Sequence, residues 1–469
     1  MKNTMKNTLL IHNVSHVVTC DASDRVLNDV SLFVSDGVIR EICEEAQLPG
    51  LLKRWGIDDS AEVPCIDGTG CALYPGLVNT HHHFYQIFSR NLPEVQNLEL
   101  FPWLKALYQL WKNLNAEVVY HASLCGMGEL LKCGCTTTAD HHYVYPHGCG
   151  MDLMDSQFAA ADLLGIRFHA TRGSMDLSEK DGGLPPDSVV QTIDGIMRDC
   201  EDAVRKYHDG AAYSMHRVAL APCSPFSVSK TLLSESARLA RRLGVRLHTH
   251  LAETRDEERY MLEKAGVRPL EYMARLGWVG EDVWYAHGIW FNDGELALLA
   301  ETGTGVAHCP VSNMKLSSGV ARVPEMVARG IPVGLAVDGS ASNDGSNLLE
   351  EMRACYLLHR LNSGSKALSG YDVLKLATRG GARLLGRNDI GWIGEGSAAD
   401  FFLVDLNRPE LVGAQFDPAG MLATVGLKGP VDYTVVNGKT VVEKGRLTGV
   451  DEKQLSQRAN AVCRRYLAR

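Results

Sequence analysis

Eight apolar runs, each closed by polar residues, set the tightest limit on how this chain can fold. They are LYPGLVNTHHH, CTTTADHH, IRFHATRGSM, HRVALAPCSPF, VRLHTHLAE, VWYAHGIW, TGVAHCPVSN and IPVGLAVDGSASND. Helical patterns such as ESARLARRLG, DEERYMLEKAG and DGELALLAETG lie between them, each ending in the glycine that a helix C-terminus favours. Strand and helix in strict alternation predict a parallel sheet. From His81 to Asp338 the chain runs roughly 260 residues, close to the ~250 of a (β/α)8 barrel. The polar residues collect where the apolar runs end, which is the face where such barrels keep their chemistry. His81, His83, His250, Glu253, His287 and Asp338 all fall there.

The flanks have a different texture. LLIHNVSHVVTC is strand-like, and VSLFVSDGVIREI reads as a hairpin turning at Asp36-Gly37. ADFFLVDL and VDYTVVNGKTVVEKG, the latter turning at Asn437-Gly438, return to that style near the C-terminus. The expected fold is therefore an α/β chain: a (β/α)8 TIM barrel with a small β-sandwich domain formed from both chain termini. The expected boundaries are 1–72 and 389–449 for the sandwich, 73–388 for the barrel and 450–469 for a terminal amphipathic helix.

Side chains on a strand alternate faces, so His81 and His83 point one way and His82 the other. His248 and His250 repeat that H-x-H spacing in LHTHLAE, with Glu253 three residues on, and Asp338 closes the last apolar run. Imidazoles and a carboxylate are the donor types that zinc accepts in hydrolytic sites. A bound divalent ion lowers the pKa of water towards ~7, and a nearby carboxylate can then move its proton. Glu253 suits that task, and His287 suits orienting the nucleophile. The formal charge of −9 argues against nucleic acid or an anionic membrane as main partner, leaving a small molecule. Thirteen scattered cysteines suit a reduced, cytoplasmic chain. Neither a signal core nor a long apolar span is evident.

PGLVNTHHH, HTHLAE, YAHG and VDGSASND resemble the signatures of the amidohydrolase superfamily, in its cytosine/guanine-deaminase-like branch, and GWIGEGSAADFFLVDL resembles the strand that completes its β-sandwich. The resemblance implies metal ligation by His81, His83, His250 and Asp338. It also implies Glu253 as proton shuttle, with His287 and Asp338 positioning and deprotonating the water. The strand-4 segment HRVALAPCSPF lacks the lysine of binuclear members, which implies one divalent metal per chain, zinc or iron. NTHHHFYQ, LFPWLKALY, TTTADHHYVYP, RGSM and LAPCSPFSVS look most similar to bacterial 8-oxoguanine deaminases. The implied reaction is 8-oxoguanine plus water giving urate plus ammonia. Isoxanthopterin deaminases and hydroxy-s-triazine aminohydrolases are the alternatives, and a non-catalytic scaffold of the same fold is the alternative of another class. Gln86, Trp111, Arg172 and Cys223 are the expected substrate contacts, with Trp103 a further aromatic candidate for the lid. A symmetric homo-oligomer is expected because such assemblies are common among soluble enzymes.

Overall fold

The computed structural model of the chain describes residues 8–57 and 63–468. Its centre is a parallel barrel in which the eight apolar runs form successive strands. These are β1 (Leu77–Asn79), β2 (Cys135–His142), β3 (Arg167–Ser174), β4 (His216–Pro222), β5 (Leu247–Leu251), β6 (Val283–His287), β7 (Gly305–His308) and β8 (Val333–Leu335). Each pairs in parallel with the next. The ring closes between β8 and β1: the Thr80 amide and hydroxyl donate to Leu335 O, and the Val337 amide donates to Asn79 Oδ1 at 3.0 Å. Just beyond, His82–His83 pairs in parallel with Asp338–Gly339, which brings the first and last histidine- and aspartate-bearing segments side by side.

Small side chains in the barrel interior surround a large one. Ala139, Ala219, Ala307 and Ala336 leave room for Trp284, whose indole N–H donates to Thr80 O at 3.1 Å. This ring is the floor beneath the polar C-terminal face. The outer helices anticipated from sequence occupy Lys230–Leu243, Arg255–Ala265 and Asp293–Thr302. Ser229, Thr254 and Asn292 accept first-turn amides at their N-termini.

Both chain ends contribute to one nine-stranded mixed sheet. Cys71–Pro75, from the N-terminal part, pairs antiparallel with Phe401–Asp405 from the C-terminal part. Alternation divides the side chains: Phe401 and Leu403 join the sheet's own apolar cluster, while Phe402 and Val404 join the cluster shared with the barrel. Tyr74 stacks on Phe402 across that junction, ring centroids 5.3 Å apart. The sheet folds over on itself where its two predicted hairpin turns meet. The Ala399 amide donates to Gly37 O and the Gly438 amide to Ala399 O. Gly37 sits at φ 76°, and a Cβ there would lie 2.1 Å from Asn437 Oδ1, so only glycine fits. The last helix spans Glu452–Leu467, capped by Asp451. Among the described residues no helix is long and apolar enough to cross a membrane.

Candidate active site

The tautomers at the barrel mouth can be worked out from the outside inwards. His248 stacks on Trp284 and donates Nδ1–H to Trp284 O at 2.9 Å, so its Nε2 is a lone pair. That lone pair lies 2.7 Å from His81 Nδ1, which must therefore be the donor. His81 Nε2 is left as a lone pair, and it is buried with no hydrogen-bond partner. His83 Nδ1 donates to His141 O and His250 Nδ1 donates to Cys223 O, both at 2.7 Å. Their Nε2 atoms, 3.1 Å apart, are likewise both lone pairs and cannot bond to each other. Asp338 Oδ1 lies 3.2 Å from His81 Nε2 and 3.3 Å from His83 Nε2. Three imidazole lone pairs and a carboxylate thus converge with no proton to share. Burial reinforces this, holding the His81 ring well below its usual pKa and His250 down to about 3. A divalent cation resolves the conflict, so the residues present fit such an ion.

Two acid–base groups stand beside that cluster. His287 donates Nδ1–H to Asn313 Oδ1 at 2.9 Å and turns Nε2 towards Glu253 Oε2 at 3.5 Å. Burial penalises its charged form, but Glu253, Asp338 and Asn313 outweigh that and raise its pKa. The Glu253 carboxyl is raised in turn, by burial first, with His287 opposing. Asp338 Oδ2 accepts from Ser312 Oγ at 2.6 Å and Ser342 Oγ at 3.2 Å. The backbone here is strained: Ala252, His287 and Asp338 all have positive φ (54°, 74° and 63°) at or just past strand ends. The buried Glu257 carboxylate steadies one of these bends by accepting the Ala252 and Glu253 amides, each at 2.9 Å.

A family profile described as "Amidohydrolase family" matches residues 72–441. The chain belongs to the amidohydrolase family. Across 465 residues it is 43% identical to the hydroxydechloroatrazine ethylaminohydrolase of Pseudomonas sp. strain ADP, covering 98% of this chain and 96% of that protein. It is 42% identical over 449 residues to the 8-oxoguanine deaminase of Pseudomonas aeruginosa, covering 94% and 99%. Among solved structures, the atrazine chlorohydrolase of Arthrobacter aurescens TC1 complexed with zinc superposes with a TM-score of 0.90 at 31% identity, covering 97% of this chain and all of that one. The barrel and the termini-built sheet are thus an amidohydrolase fold, and the enzyme hydrolyses a C–N bond.

Within this amidohydrolase the converging groups open into a small cavity of about 30 Å³. Gln86 and Cys223 line it together with His83, His250, Glu253, His287 and Asp338. The Cys223 thiol is pushed up to about 12 by burial and stays neutral, so it serves as a wall and not as a nucleophile. Trp111 and Arg172 are placed elsewhere. Trp111 lies behind the wall, its indole N–H donating to Ser89 Oγ, while Trp103, two turns earlier on the Leu100–Trp111 helix, lines the cavity. Arg172 is wholly buried over the Tyr145 ring and its two terminal nitrogens donate to Asp199 (2.7 Å), Gln191 (2.9 Å) and Gly173 O. Sequence reasoning missed Leu100, Leu104, Tyr143, Phe226, Leu316 and Ser342 in the lining, and His141, whose nitrogen lies within 4.8 Å of the ligand atoms of His81, His83 and His250.

The three consecutive histidines separate cleanly. His82 turns from the cluster to Ser346 Oγ at 2.9 Å and stacks on Phe84. His83→Asn is expected to weaken metal binding by 10- to 100-fold or more, roughly the loss seen on disturbing a ligand shell. His82→Asn should lose clearly less, because His82 supplies none of the converging donors. Metal titration of the two purified variants checks this, and equal losses would contradict the assignment.

Proposed function

We propose that this amidohydrolase removes an exocyclic amino group from an oxo-bearing heterocycle, with 8-oxoguanine plus water giving urate plus ammonia as the leading reaction. The observation that supports this substrate class is Gln86. Its side-chain oxygen is fully buried, has no hydrogen-bond partner and belongs to the cavity that holds Glu253 and His287. A carboxamide left unsatisfied there favours a ligand that presents a ring N–H beside a carbonyl, the amide edge of an oxopurine. The 42% identity to an 8-oxoguanine deaminase along nearly the whole chain agrees with that reading.

The division of labour follows from position. His81, His83, His250 and Asp338 hold a divalent ion, zinc or iron. When bound, the ion supplies the Lewis acidity that makes water nucleophilic near neutral pH. His287 and Asp338 orient the water over the amino-bearing carbon, and Asp338 accepts one of its protons. Glu253 carries the other proton of the water to the adjoining ring nitrogen as the C–O bond forms, and the proton held by Asp338 passes to the amino group, so that the C–N bond breaks with loss of ammonia and the oxygen stays as the ring carbonyl. Gln86 and Tyr143 fix the ring, while Trp103, Leu104 and Phe226 exclude bulk water.

A second reading draws on those same apolar walls. Leu100, Trp103, Leu104, Phe226 and Leu316 could instead receive the alkyl group of an N-alkylamino hydroxytriazine, in keeping with the 43% relative. Parallel assays of amine release over 8-oxoguanine, guanine, isoxanthopterin and an N-ethylamino hydroxytriazine separate the two. The expected kcat/KM for 8-oxoguanine exceeds that for guanine by at least about tenfold, the scale set by one lost hydrogen-bonding group. Ethylamine release faster than any ammonia release would replace the first reading with the second.

A further inference from the structure

A second group of metal-ligating side chains lies outside the barrel wall. Alternation along β7 sends Ala307 into the barrel interior, where Cys309 also packs, and turns His308 towards the outer helices. The helix Leu348–Ser363 packs against Pro310–Lys315 and β8, and carries Cys355 and His359 one turn apart on its buried face. All three side chains are fully buried. His308 Nε2 and His359 Nε2 are 3.2 Å apart, and one ring nitrogen of each histidine and Cys355 Sγ lie within 4.8 Å of one another. Beyond this contact neither ring has a hydrogen-bond partner among the described residues, and both Nδ1 atoms are unpaired.

We propose that His308, Cys355 and His359 bind a second cation, structural in role and of the thiophilic zinc class. Two imidazoles and one thiolate are a donor set for zinc and its soft neighbours. At Zn–N distances of about 2.05 Å, tetrahedral coordination separates two nitrogens by about 3.3 Å and a nitrogen from sulfur by about 3.6 Å. The observed 3.2 Å between the two Nε2 atoms already matches, and a sulfur separation of up to 4.8 Å needs an adjustment of up to about 1.2 Å. A hydrogen bond between the rings engages two of the three groups, whereas a cation engages all three. Binding displaces the Cys355 thiol proton to solvent and leaves both imidazoles neutral. The cation would pin the outer helix to the end of β7, directly behind the segment in which Ser312 holds Asp338 and Asn313 holds His287.

Sulfur separates this site from the barrel mouth, where the converging donors are imidazoles and a carboxylate. Protein made in cobalt-supplemented minimal medium, so that buried sites load during folding, should show a near-ultraviolet thiolate-to-cobalt charge-transfer band. Cys355→Ser should abolish the band and remove one metal equivalent per chain, while His83→Asn keeps it. X-ray absorption at the zinc edge of wild-type protein, which needs no variant, should show a sulfur scatterer at about 2.3 Å. Metal-loaded wild type without the band, a wild-type zinc shell without sulfur, or a band that survives Cys355→Ser would each overturn the proposal.

Discussion

Glu253→Gln is expected to lower turnover about 10³-fold, within the range general acid–base groups contribute, with metal content unchanged. The substitution keeps shape and burial and removes only the ability to carry a proton between water and ring. The carboxamide introduced there can still face His287 and accept from Ser318 Oγ, which lies 3.4 Å from Glu253 Oε1. The bend that aims the side chain is held from below, because Glu257 accepts the amides of residues 252 and 253 irrespective of which side chain residue 253 carries. The loss should therefore fall on kcat, with KM and thermal midpoint near wild type, the pattern of an interaction made only in the transition state. Glu257→Gln should behave differently: one of its two acceptors becomes a donor facing a backbone N–H, so the thermal midpoint falls together with kcat. Steady-state kinetics, metal analysis and thermal unfolding distinguish them. A Glu253→Gln variant retaining a tenth or more of wild-type kcat, well outside that range, would remove Glu253 from the proton path.

The fold was legible because the signals that define it are local and repeated. Each barrel strand is a short apolar run with polar residues at its end, and two hairpins of the terminal sheet carry a two-residue turn, Asp36-Gly37 and Asn437-Gly438, on which register depends. The orientation of His81, His82 and His83 also follows from alternation alone. What was hidden depends on partners distant in sequence or on the phase of a helix. Arg172 ends a strand as a substrate ligand might, yet Asp199 neutralises it from a neighbouring helix. Trp103 and Trp111 are equivalent in composition, and only the docking of their helix decides which one meets the cavity. His248 looks like a spare histidine in HTHLAE, but Trp284 O fixes its tautomer and thereby that of His81. The one signal that could have found His141 and Tyr143 is the same alternation, applied to the end of β2, where TADHHYVY offers too many polar residues to choose among.

Asp338→Asn is the other substitution with a large expected effect, and it should act on two properties at once. The carboxylate is the only anion among the converging donors at the barrel mouth; the other three are neutral imidazoles. Replacing it removes the charge that offsets a divalent cation in a buried site, so metal affinity should fall by about 10- to 100-fold or more. The surroundings tolerate the amide: its oxygen can keep the Gly339 amide bond, and the Ser312 and Ser342 hydroxyls can rotate to accept from its nitrogen. The fold should therefore survive, with a near-native circular dichroism spectrum. Excess metal then separates ligation from proton transfer. If Asp338 only held the ion, saturation would restore turnover; because an amide cannot accept the water's proton, kcat should stay about 10²- to 10⁴-fold down even when the site is full. Recovery to a tenth of wild-type kcat, above that range, would assign Asp338 to ligation alone and leave His287 as the group that deprotonates water.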